Sequence, residues 1–252
     1  MTQQMRDKII ELFEYRELPK LIATKSANWD DDYYEKLISL QYNIYLLDQV
    51  LETNWEVDMD LVAQKWTAIH NDLSALGVPS DLHDKYCSHI YKYQKHELEI
   101  RQTKFPTRLS MEYFYFYKSC DVKLLRRIIY DNNPALRSMV KTSEWRLFDL
   151  VTEVNDDVVD LQEDLDTING NRFLISLVEL GKEKTRMIFA NFLNEILDRN
   201  NQLTLTNDID IPFQRWTTEQ IQATLVIMDA QIKAFDQLDV SKYRSIVDGV
   251  MV

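Results

Sequence analysis

Residues 147–165 read Leu147-Phe148-Asp149-Leu150-Val151-Thr152-Glu153-Val154-Asn155-Asp156-Asp157-Val158-Val159-Asp160-Leu161-Gln162-Glu163-Asp164-Leu165. Leu147, Val151, Val154, Val158, Leu161 and Leu165 recur every three or four residues, the spacing of one helix face. The pattern predicts the longest helix of the chain, over about 135–165. The same period continues outward in both directions. It predicts helices at about 3–18 (ended by Pro19), 30–54, 58–76 (stopped by Gly77), 79–104 (broken at Pro106), 110–119 and 121–130. Towards the C-terminus it predicts 172–199, 217–237 and 240–249. The aromatic run Tyr113-Phe114-Tyr115-Phe116-Tyr117 has strand propensity. It has no second strand to pair with and is read as helix.

Composition agrees. In 252 residues there are only 4 Gly and 5 Pro, too few turn formers for a sandwich, a barrel or a Rossmann sheet. The expectation is all-α: a single domain over 1–252, with an N-terminal helix and linker at 1–28 and a core of eight to ten helices over 29–252. The acidic balance, 41 against 29 basic residues and net −12, disfavours nucleic acid as a partner. Two cysteines make no disulfide framework, the N-terminus lacks a signal-peptide core, and no run is long enough for an integral membrane segment. The expected location is cytoplasmic.

Six carboxylates lie between Glu153 and Asp164 with no Lys or Arg among them. On one continuous helix, Asn155, Val159 and Glu163 stack as a row flanking the apolar stripe, and Asp156, Asp160 and Asp164 form a neighbouring row that faces further outward. Like charges at i, i+4 destabilise a helix by a few tenths of a kcal/mol per pair, roughly, so the pattern calls for cations nearby. Hard divalent ions such as Mg²⁺ want such oxygens. A solvated acidic face is the competing account. A second acidic pair, Asp48 and Glu52, edges the stripe Leu37, Leu40, Ile44, Leu47, Leu51. It suits a pocket or the rim of the core. Arg108, Lys118, Lys123, Arg126 and Arg127 fall within twenty residues and form the best candidate anion site. Ordinary salt bridging to the acidic helix accounts for them equally.

These acidic motifs on two helices of an all-α chain resemble the class I isoprenoid (terpenoid) synthases. Asp48-Gln49-Val50-Leu51-Glu52 is similar to that family's D-D-x-x-D/E motif, with Gln49 at the second position. Asn155 to Glu163 is similar to its N-D-x-x-S/T-x-x-x-E motif, with Val159 at the hydroxyl position. Asp156-Asp157-Val158-Val159-Asp160 also fits the prenyltransferase form. The resemblance implies a Mg²⁺-dependent lyase or transferase of isoprenoid biosynthesis. It would ionise an allylic prenyl diphosphate to a cyclised or coupled terpene. Asp48 and Glu52 would hold metal on one wall, and Asn155 and Glu163 on the other, with Asp156, Asp157 and Asp160 as alternatives. Arg108, Lys118, Arg126 or Arg127 would grip the diphosphate, and Tyr42, Tyr45, Phe114 and Tyr117 would wall the cavity. The partner so implied is the prenyl diphosphate, with a homodimer left open. A di-iron bundle is disfavoured, because none of the four histidines follows a Glu by three. A non-enzymatic acidic helical scaffold docking a basic partner is the alternative.

Overall fold

The computed structural model describes residues 1–23, 31–203 and 212–249, and no strand occurs among them. The described residues form thirteen α-helices: α1 (Gln3–Tyr15), α2 (Leu18–Ile22), α3 (Asp31–Thr53), α4 (Met59–Ala75), α5 (His83–Glu99), α6 (Met111–Lys118), α7 (Cys120–Asn132), α8 (Leu136–Met139), α9 (Arg146–Val159), α10 (Arg172–Leu180), α11 (Lys182–Asn201), α12 (Phe213–Ala234) and α13 (Ser241–Val247). The fold is all-α, as the periodicity predicts. Asp30 and most of the linker expected before α3 lie outside the described residues. No described helix is long and apolar enough to cross a membrane. The chain groups into two compact units, residues 1–94 with 120–140, and residues 95–119 with 141–252.

In the first unit α1 starts on Thr2, whose hydroxyl accepts the Met5 N–H at 3.3 Å. Pro19 does not end α1. It sits in the first turn of α2, where its missing N–H costs nothing, and the break falls at Glu17, in the left-handed region at φ 58°. α3 keeps its predicted stripe, and Leu37, Leu40, Ile44, Leu47 and Leu51 are all buried. Burying each is worth roughly 1.5–3 kcal/mol. α4 begins on Asp58, which accepts the N–H groups of Asp60 and Leu61. It ends at Gly77, φ 83°, where Val78 N–H reaches the Leu73 carbonyl and Gly77 N–H that of Ser74. That pairing needs a left-handed residue, which explains the glycine.

In the second unit α9 packs on α6, α10, α11 and α12. Leu147, Val151, Val154, Val158 and Leu161 are buried, as predicted, while Leu165, the last residue of the predicted stripe, is half-buried. The expected helix over 135–165 is not. Val140 is extended, residues 142–145 form a 3-10 turn, α9 covers only fourteen residues, and a second 3-10 turn follows at Glu163–Asp166. The physical reason for the C-terminal stop is charge. Asp156, Asp157 and Asp160 gather at the negative end of the helix dipole, and the last turn holds no base. Asn155, Val159 and Glu163 are therefore not one row on a continuous helix. The predicted helix 172–199 is likewise split, by Gly181 at φ 78°.

Candidate functional site

At about 100° per residue, Asp149, Glu153, Asp156 and Asp160 lie on one side of α9 and its C-cap. Asp149 and Glu153 are buried, Asp156 is half-buried and Asp160 is exposed. Asp157 sits next to this row and is fully buried. Its carboxylate accepts the Tyr115 hydroxyl at 2.8 Å, the Lys118 ammonium, and the backbone N–H of Arg172 at 2.8 Å. The last bond puts the carboxylate at the N-terminus of α10, where the dipole favours negative charge. Burial pulls the Lys118 pKa down, but Asp157, Glu153 and Asp164 outweigh it and hold the ammonium above its ordinary range. Burial and then Asp157 push the Tyr115 phenol well up, so it stays a donor.

The loop after α9 is tied down by amides. Asn171 caps α10 by accepting the Leu174 N–H at 2.8 Å. Its Nδ2 donates to the Asp157 carbonyl and to Asp164 Oδ2, both at 2.7 Å. Asn169 donates to the other Asp164 oxygen and to Thr167 Oγ1. Gly170 N–H donates to Glu97 Oε2 at 2.9 Å, and a Cβ at Gly170 would stand 2.6 Å from Glu97 Oε1. The Tyr243 hydroxyl meets the backbone of Asn169.

This lattice fixes Asp164 close to the row. The Asp160 carboxylate is pushed up to about 6, first by desolvation and then by repulsion from Asp156 and Asp164. Its side chain still reaches solvent. Asp164 is raised too, by desolvation first, against the pull of Lys118 and the two asparagines. Three carboxylates that repel one another beside a loop of fixed amides can take a cation. Their oxygens suit a hard divalent ion. As they stand, no three His, Cys, Asp or Glu side chains among the described residues are gathered closely enough to hold a metal.

The other predicted residues fall elsewhere. Asn155 points away from the acidic row, and its Oδ1 accepts the Thr224 hydroxyl of α12 at 3.0 Å. Glu163 is exposed in the 3-10 turn beyond α9. Asp157 has its oxygens bonded to three donors, which leaves it poorly suited to a metal. Asp48 and Glu52 are half-buried on α3 of the first unit, beside buried Leu47 and Leu51. The basic cluster is divided. Arg108 (exposed) and Lys118 belong to the second unit, and Lys123, Arg126 and Arg127 to the first. Lys118 is salt-bridged to Asp157, which was the alternative account of these bases. Arg126 is buried and donates to the Arg16 carbonyl at 3.5 Å, at the long limit of a hydrogen bond. Phe114 is core, under the Arg172 guanidinium at 5.9 Å, while Tyr42, Tyr45 and Tyr117 are half-buried.

Sequence reasoning missed Tyr115, Glu97, Asn169 and Asn171 as parts of the site. Asn171 carried a usable signal, an amide two residues before the apolar run Phe173-Leu174-Ile175. Glu97 carried none. Comparison with protein-family models, with curated proteins and with solved structures returned no match.

Proposed function

We propose that the chain is a Mg²⁺-dependent enzyme acting on a prenyl diphosphate. The observation that supports this reading is the gathering of Asp156, Asp160 and Asp164 at the end of α9, where desolvation first and then repulsion from Asp156 and Asp164 raise Asp160 to about 6. A divalent cation relieves that repulsion and needs those oxygens. The resemblance to class I isoprenoid synthases supplies the substrate class. In this reading Asp156 and Asp160 hold the metal, Asp164, bonded through both oxygens to Asn169 and Asn171, steadies the loop beside them, and Asn155, Asp157 and Glu163 do not take part. When bound, Mg²⁺ would neutralise charge developing on the departing diphosphate. Lys118 and Asp157 act on position: their buried pair, with Asn171, holds the end of α9 and the start of α10 in register.

Calorimetry tests the proposal, with a non-reactive farnesyl diphosphate analogue titrated in the presence and absence of Mg²⁺. Binding that requires Mg²⁺ and is lost in Asp160→Asn is the expected result. Incubation with geranyl, farnesyl and geranylgeranyl diphosphates then separates a cyclised from a coupled product. Absence of Mg²⁺-dependent binding in the folded wild-type chain overturns the proposal and returns the acidic scaffold.

A further inference from the structure

In the first unit a short connection, residues 76–82, joins α4 to α5, and two histidines meet across it. His70 stands on α4, and His83 is the first residue of α5. Their rings lie 5.2 Å apart, centre to centre. His83 is buried, and its Nε2 is 3.1 Å from the Val78 carbonyl. A carbonyl only accepts, so this nitrogen carries the proton and ties the connection to the start of α5. The Ser74 hydroxyl, one turn after His70, lies 3.5 Å from the same nitrogen. His70 is half-buried, and its Nε2 meets the Tyr91 hydroxyl at 3.1 Å. That hydroxyl donates to Asp84 Oδ1 at 3.3 Å, so its oxygen accepts from His70. The Trp66 ring covers Tyr91 at 4.1 Å and is itself held by Gln94, to which its Nε1 donates at 2.9 Å. Each imidazole needs a single proton to make these bonds.

A second proton on His70 goes to Nδ1 and meets little that favours it. Burial opposes it first, and the His83 ring opposes it next. Asp84 pulls the other way, with the Tyr91 hydroxyl standing between. Asp72, two residues along α4, points to the opposite side of that helix, where it accepts from Ser39 and Asn43 of α3 at 2.9 and 2.6 Å. The His70 imidazole is therefore held below its ordinary range.

We infer that His70 and His83 make the α4–α5 joint an acid-sensitive latch, closed while both imidazoles are neutral and released when His70 takes a proton beside His83. The latch lies within the first unit and uses neither the acidic row nor Mg²⁺, so it stands or falls separately from the proposed activity. The closed joint binds this proton less tightly than the opened one. Closure is complete above the ordinary histidine range, weakens as pH falls through it, and levels off below the folded midpoint. Each pH unit between the two midpoints multiplies the opened population by about ten once the proton is fully bound.

Hydrogen–deuterium exchange of the full chain tests the latch, between about pH 7.5 and about pH 5. It is read on the peptide spanning residues 76–82, whose Gly77, Val78 and Leu82 N–H groups are bonded to the Ser74, Leu73 and Pro79 carbonyls. After correction for the intrinsic pH dependence of exchange, the expected result is a severalfold loss of protection on acidification. The loss should be absent in His70→Gln, whose amide can still donate to Tyr91 and takes no proton. NMR titration of the unsubstituted chain is the second readout, with a His70 midpoint below the ordinary 6.5 that moves up in His83→Gln. Protection that does not fall on acidification, a fall that persists in His70→Gln, or a His70 midpoint at or above the ordinary value overturns the inference.

Discussion

α3 and α9 carry the same kind of pattern, an apolar stripe edged with acids, and the acids end in different surroundings. On α3 the stripe is buried while Asp48 and Glu52 stay half in solvent. On α9 the acids Asp149, Glu153 and Asp157 go inside with the stripe. The difference is not in either helix. Asp157 is buried because Tyr115 and Lys118 of α6 and the first N–H of α10 converge on it. A carboxylate enters the interior only where other elements bring donors to it.

The sharpest way to break that comparison is to remove one acid from each helix. Asp157→Ala strands the Lys118 ammonium inside the second unit and should cost about 3–5 kcal/mol. Asp48→Ala should cost within about 1 kcal/mol, the range of a partly solvated pair. Urea unfolding of the two variants, side by side, decides it, and equal losses would mean that α3 holds its acid as tightly as α9. Next in size is Gly170→Ala. The new methyl would meet the Glu97 carboxylate, which is itself buried and bonded to the Gly170 N–H. Overpacking of this kind costs about 1–3 kcal/mol, read as a lowered urea midpoint. Asn171→Ala removes the cap of α10 and should cost about 1 kcal/mol. Differential scanning calorimetry checks it. A neutral result would show that Arg172 N–H holds its place against Asp157 without the cap.

What could be read beforehand follows the same division. Stripes are local, so the apolar sets of α3 and α9 were legible from spacing alone. The C-terminal stop of α4 was legible because Gly77 is the residue that a left-handed cap demands. Pro19 misled because a proline serves the start of one helix as well as the end of another. The burial of Asp157 was not legible. Its donors lie 42 and 39 residues before it and 15 after it, and no spacing rule joins them. The break at Val159 was within reach, since acids were massed where a helix dipole rejects them. A continuous apolar stripe concealed it, because the turn at residues 160–162 carries Leu161 into the core without a full α-helix.

The smallest predicted effect is in pH dependence, and it separates the exposed end of the α9 row from the buried Asp157. Asp160 titrates at about 6 in the folded chain against an ordinary 3.8. The folded state therefore holds this proton more tightly than the unfolded state does. The contribution of Asp160 to stability falls as pH rises from the ordinary aspartate range to about 6, and it is constant above. Asp164 acts in the same direction. Asp160→Asn removes the titrating group, so the variant should lose part of this slope and be slightly more stable than wild type at neutral pH. Mg²⁺, if these oxygens hold it, should stabilise wild type at neutral pH, lose that effect under mild acid as the proton competes, and leave the variant unmoved. Thermal midpoints of both proteins across this window, with and without MgCl₂, give the answer. A wild-type stability that rises with pH relative to Asp160→Asn would show that the folded chain does not raise the Asp160 pKa, and would remove the ground on which the cation was assigned.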